Sequence, residues 1–142
     1  MSQTSRPGRV LGLDLGDARI GVSISDDDRR LAMPLGTVLT GAPADLQAIA
    51  ALANEHDVAL MVVGLPRSMS GEEGPRATQA RAFAGALAGV TRKPVEMQDE
   101  RLTTVEAERG LREAGVTGVD RRRVVDRSAA VVILQAWLDA NP

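Results

Sequence analysis

The sequence predicts an α/β domain built on a mixed five-stranded sheet, with an antiparallel hairpin at one edge, strands 1, 4 and 5 parallel, and helices on its faces. Three observations carry that expectation. Two apolar segments with strand periodicity flank a Gly16-Asp17-Ala18 turn. The period then changes to that of a helix. Finally, Val58 to Val63 is unbroken apolar sequence, as in a strand covered on both sides.

Taken in order, an apolar run from Arg9 to Leu15 leads into the turn, after which Ile20, Val22 and Ile24 alternate with Gly21, Ser23 and Ser25. A third strand, from about Leu31 to Val38, contains Pro34, which has no N–H to donate and so belongs at a sheet edge. After Gly41-Ala42-Pro43, the residues Leu46, Ile49, Ala50 and Ala53 form one helical stripe that runs out near His56, a helix-end residue. The strand from Val58 stops at Gly64-Leu65-Pro66 and is expected to be the central parallel strand. Beyond a polar loop from Arg67 to Gly74, Pro75 opens a helix with Ala77, Ala80, Ala84 and Leu87 on its inner side. Pro94 to Gln98 is a short strand. Thr103 and Glu106 make a capping box for a helix ending by Gly115, and a last helix runs from about Val125 to Asp139. Residues 1–8 are expected to be a flexible tail and 9–140 a single domain.

Composition narrows the chemistry. A chain of 142 residues, 44% hydrophobic and 25% charged, is one globular domain of ordinary size. No apolar stretch is long enough to span a bilayer, and Met1 to Arg9 has no signal-peptide core, so a cytoplasmic location without membrane association is expected. There is no cysteine and one histidine, His56, so a thiol nucleophile, a thiolate zinc site and a histidine-rich site are excluded. A metal site here must use carboxylates. The net charge of −2 has the wrong sign for a protein that coats nucleic acid nonspecifically. Lys93 is the one lysine, so nearly all positive charge sits on guanidinium forks suited to phosphate, although GC-rich coding gives the same preference. Phe83 and Trp137 are the only aromatics, leaving little for base stacking.

In sheets of this kind, ligands bind beyond the carboxyl ends of the parallel strands. Asp14, the loop from Gly64 to Ser68, and Gln98-Asp99-Glu100-Arg101 all fall there. Asp126 joins them through helical phase, standing on one stripe with Ala130, Ile133 and Trp137. A helix cap or a salt bridge accounts for either buried aspartate alone. Two of them beside an Asp-Glu pair point instead to a cation, since clustered carboxylates repel one another until one binds. Hard oxygen donors select Mg²⁺ or Mn²⁺. Neighbours along a strand face opposite ways, so Asp99 or Glu100, not both, points inward. Arg19, Arg67, Ser68, Arg101 and the run Arg121-Arg122-Arg123 are candidate contacts to nucleic-acid phosphates, or solvated surface. Gly71-Glu72-Glu73-Gly74 reads as a mobile loop or lid.

These residues also carry a resemblance. Leu13-Asp14-Leu15-Gly16 with Arg19-Ile20-Gly21-Val22, Gly64-Leu65-Pro66, Asp99-Glu100-Arg101-Leu102-Thr103-Thr104 and Val125-Asp126-Arg127-Ser128-Ala129-Ala130 resemble the YqgF/RuvX family from about Val10 to Leu138. Leu15 and Arg127-Ser128 depart from the family pattern, and neither is an expected metal ligand. The resemblance implies an RNase H-like fold and a Holliday-junction resolvase-like nuclease associated with maturing the 5′ end of precursor 16S ribosomal RNA. It also implies that Asp14, Glu100 and Asp126 form a catalytic metal triad and favours Glu100 over Asp99. The expected partners are structured RNA or branched DNA, with the chain a monomer or homodimer. Two other readings compete with RNA cleavage: resolution of DNA four-way junctions, and noncatalytic RNA binding in ribosome assembly. Actin-like ATPases share the Asp-x-Gly turn but close a cleft between two copies of the fold, whereas this chain supplies one.

Overall fold

A computed structural model describes residues 7–68, 70–100 and 118–142, with residues 118–128 described as backbone only. The strands are β1 (Arg9–Leu15), β2 (Arg19–Ser25), β3 (Ala32–Leu39), β4 (Val58–Leu65) and β5 (Val95–Asp99); the helices are α1 (Ala44–Glu55), α2 (Pro75–Thr91) and α3 (Gly118–Ala140). They form one sheet in the order β3-β2-β1-β4-β5. β1 pairs antiparallel with β2 and parallel with β4, and β4 pairs parallel with β5. β3 occupies an edge, as Pro34 requires. β4 lies between β1 and β5, the central one of the three parallel strands as expected, and its apolar run is buried except at Ala59.

The two faces are covered differently. Leu11 and Leu13 of β1 with Met61, Val63 and Leu65 of β4 pack under α1 and α2, through Ile49, Ala53, Ala77, Ala80 and Leu87. On the other face, Val10, Leu60 and Val62 meet Ile133, Leu134, Trp137 and Leu138 of α3, which touches every strand. Small residues let α3 come so close. A Cβ on Gly12 would lie 2.7 Å from the Leu134 Cβ, 3.2 Å from the Ala130 carbonyl oxygen, and against the Ser23 hydroxyl. That buried hydroxyl donates to the Ala130 carbonyl oxygen at 2.7 Å. The Trp137 indole N–H donates to Glu96 at 3.1 Å, securing the same helix to β5.

α3 starts before the expected boundary near Val125. Neither proline nor glycine interrupts residues 119–126, and arginine is a good helix former, so Arg121-Arg122-Arg123 continues the helix instead of preceding it. His56 sits at the α1 C-terminus as expected, its N–H bonded to the Leu52 carbonyl oxygen at 3.0 Å. The helix expected between Thr103 and Gly115 lies outside the described residues, as does most of the expected 1–8 tail.

Candidate active site

The alternation of β1 decides where its aspartate goes. Val10 and Gly12 share the face covered by α3, and Asp14 is next in that series, at the carboxyl end of the strand. A Cβ on Gly21, the antiparallel partner of Asp14, would lie 3.7 Å from the Asp14 Cβ and 3.6 Å from the Ala130 Cβ. Thus α3 passes over the sheet at the level of Asp14, one turn beyond Asp126. The Asp126 side chain lies outside the described residues.

Glu100 reaches the same place from β5. Its N–H donates to the Leu65 carbonyl oxygen at 3.1 Å, extending the parallel pairing by one residue, and its side chain crosses Gly64 of β4. A Cβ at Gly64 would lie 2.9 Å from the Glu100 Cδ and 2.7 Å from the Ile133 Cδ1. Glycine is what leaves the carboxyl room. The Glu100 and Asp14 carboxyl groups share a hydrogen bond, which requires a proton between them when no cation is present. Burial first, then the neighbouring Asp14 charge and, less, Asp99, pushes Glu100 up to about 7.

Asp99 points elsewhere, as strand alternation demands: its Oδ2 lies 3.6 Å from Arg67 Nη1. Arg67 also pairs with Glu73 at 3.1 Å, and Arg81 grips the same carboxylate with two bonds of 2.7 Å. These arginines hold Glu73 at about 2, well below the ordinary range. The Gly71–Gly74 loop expected to be a lid is therefore tied down through Glu73. Ser68 bonds to Ser70 at 2.8 Å, and its hydroxyl accepts the Glu72 N–H at 3.2 Å. Arg19 is exposed at the start of β2. Arg101 and the side chains of Arg121, Arg122 and Arg123 lie outside the described residues.

Asp14 and Glu100 open into a cavity of about 520 Å³ that runs over the carboxyl edge of the sheet to its α1/α2 face. Among its walls are Asp45, Arg76, Gln79 and Phe83, none of which the sequence singled out as functional. Asp45 is buried, with its carboxylate accepting the Gly41 N–H at 3.0 Å and the Leu46 N–H at 2.7 Å. Its signal was a lone acid in the first turn of α1, indistinguishable in sequence from ordinary helix-end chemistry. Arg76 meets Asp17 at 3.0 Å, joining α2 to the β1–β2 turn.

A family model described as "RuvX: Holliday junction resolvase" matches residues 8–140, which include both acids and all of the sheet. The chain belongs to the RuvX family. Several members carry the name "Putative pre-16S rRNA nuclease": one from Anaeromyxobacter sp. is 54% identical, aligned over 94% of this chain and 98% of its own. Another, from Pelotomaculum thermopropionicum, is 49% identical over 94% of this chain and 88% of its own. Among solved structures, this RuvX chain is similar to T. thermophilus RuvC in complex with a Holliday junction substrate, at a TM-score of 0.53 and 16% identity over 94% of each chain. That likeness establishes the RNase H-like fold. No helix among the described residues is long and apolar enough to cross a membrane.

Proposed function

We propose that the chain is a divalent-metal-dependent endonuclease that hydrolyses phosphodiester bonds in structured RNA, acting in the cytoplasm on the 5′ end of precursor 16S ribosomal RNA. The observation that carries this reading is the hydrogen-bonded pair of carboxyl groups, Asp14 and Glu100, at the carboxyl edge of a RuvX-family sheet. The names of the relatives supply the RNA substrate. Two buried acids that repel one another when both are ionised suit a cation that offsets their charge, and their donors are all oxygen, as Mg²⁺ or Mn²⁺ prefers. Asp14, Glu100 and Asp126 would hold the metal. When bound, it activates water and offsets charge on the leaving oxygen.

The chain's own residues do the positioning. Gly64 keeps the Glu100 carboxylate at the level of Asp14. Asp14 stands on the interior strand β1, and Glu100, one residue past the edge strand β5, is held by its N–H to the Leu65 carbonyl oxygen of β4, so both acids rest on the sheet. Arg19, Arg67, Ser68, Arg101 and Arg121 to Arg123 contribute backbone-phosphate contacts, which sets orientation and makes binding salt-dependent. Residues 9–140 act as one catalytic domain.

The test is incubation of the purified chain with precursor 16S rRNA and with a DNA four-way junction, each with and without Mn²⁺. RNA cut near the mature 5′ end only with the metal is the expected result. Asp14→Asn, Glu100→Gln and Asp126→Asn should each lower cleavage at least about a hundredfold, as for loss of a group essential to the reaction. Unchanged cleavage by all three variants overturns the reading. Cutting of the junction alone would assign the activity to DNA, the substrate named in the family's description.

A further inference from the structure

We propose that the cavity beside the acid pair is a nucleobase subsite, which takes one unstacked base of the RNA strand whose neighbouring phosphate lies over Asp14 and Glu100. This deepens the nuclease reading and rests on it. The acids line the cavity from the α3 side, while Leu15, Ile20, Ala80 and Phe83 give it an apolar end toward α1 and α2, where Asp45 also lines it with its carboxylate already bonded to backbone N–H groups. Its volume of about 520 Å³ is within the range of small-ligand sites, roughly 300–1,000 Å³. Neither metal nor phosphate needs the apolar end, whereas a base has an apolar face to bury there and a polar edge to satisfy.

The two aromatics divide between roles. Trp137 is 5% exposed beneath the opposite face of the sheet, its N–H engaged by Glu96. Phe83 is half-buried on α2 and lines the cavity. A ring in that position offers the stacking surface that single-stranded nucleic acid uses. Gln79, one turn earlier on α2, is exposed and lines the same wall. An amide there can pair with the edge of a base, adenine offering it the best bidentate match. Arg76, held at the rim by Asp17 at 3.0 Å, brings a cation to the strand's adjoining phosphate.

The subsite is tested by equilibrium binding of the full chain to a fluorescein-labelled single-stranded RNA taken from the cleavage site, in EDTA and again in Ca²⁺. An abasic residue is placed at each position in turn. At one position its introduction should weaken binding about tenfold, as expected for loss of one stacked base. The same abasic penalty should vanish in Phe83→Leu, which keeps an apolar side chain against the core but removes the ring. Gln79→Ala, at an exposed position, should flatten any preference among the four bases there without altering thermal stability. A penalty equally large in parent and Phe83→Leu, or none at any position, overturns the subsite while leaving the nuclease reading standing. Failure to bind this RNA in either buffer likewise overturns the subsite, whereas the nuclease reading stands or falls on the metal-dependent cleavage of precursor 16S rRNA.

Discussion

At the scale of single residues, the site is defined by what Glu100 lacks: a neighbour at Gly64 and a ready escape for its charge. In Gly64→Ala the new methyl would press on the Glu100 side chain and on Ile133 Cδ1, both able to yield somewhat. Overpacking of this kind costs about 1–3 kcal/mol, read as a shifted urea midpoint. Displacing the carboxylate by about 1 Å should reduce cleavage much more, about a hundredfold. The proton balance gives a second test. Glu100 is raised from 4.5 to about 7, so between those values the folded chain retains a proton that the unfolded chain has released. Metal-free stability therefore falls as pH rises through that window and levels off above it. Glu100→Gln, which carries no charge to bury, should melt at a higher temperature than the parent above that window without divalent cation, even though the nuclease reading expects it to cleave poorly. A parent melting temperature that rises across the same window would contradict this account.

At the scale of elements, the decisive contact is α3 against β1 and β2. Gly12→Ala places a methyl against the Ser23 hydroxyl, the Leu134 Cβ and the Ala130 carbonyl oxygen, so the helix itself must move. The expected cost is about 3 kcal/mol, seen in urea unfolding, with cleavage lost through displacement of the helix carrying Asp126. This contact was only partly legible in the sequence. The stripe of Ala130, Ile133 and Trp137 identified the inner side of the helix, and all three are buried. Gly12, Gly21 and Ser23 look like weak strand residues until a helix backbone is laid on them. Asp14 was legible because a charge between leucines contradicts its surroundings. Phe83 and Gln79 were not, since an aromatic and an amide on an amphipathic helix contradict nothing.

At the scale of the whole molecule, strand order and direction were readable because periodicity, turn residues and right-handed crossovers leave few alternatives. The tie from Arg67 and Arg81 to Glu73 was not, for it depends on loop geometry that no local pattern encodes. That network predicts a different acid response from the site's. Glu73, held at about 2, stays ionised until well below the pH at which ordinary glutamates protonate, so its ion pairs persist through mild acid and are lost only as pH falls toward that value. The amide of Gly71, whose N–H bonds to the Ser68 carbonyl oxygen at 2.9 Å, should remain slow to exchange with deuterium at pH values where the Glu100 region has already taken up its proton.

Asp14 and Glu100 come from strands on opposite sides of β4, with two helical crossovers between them in the chain. During synthesis the first acid therefore emerges long before its counterpart, and neither half of the polypeptide owns the pair. On the nuclease reading, competence to cut arrives only when β5 and then the helix that carries residue 126 have docked onto the sheet.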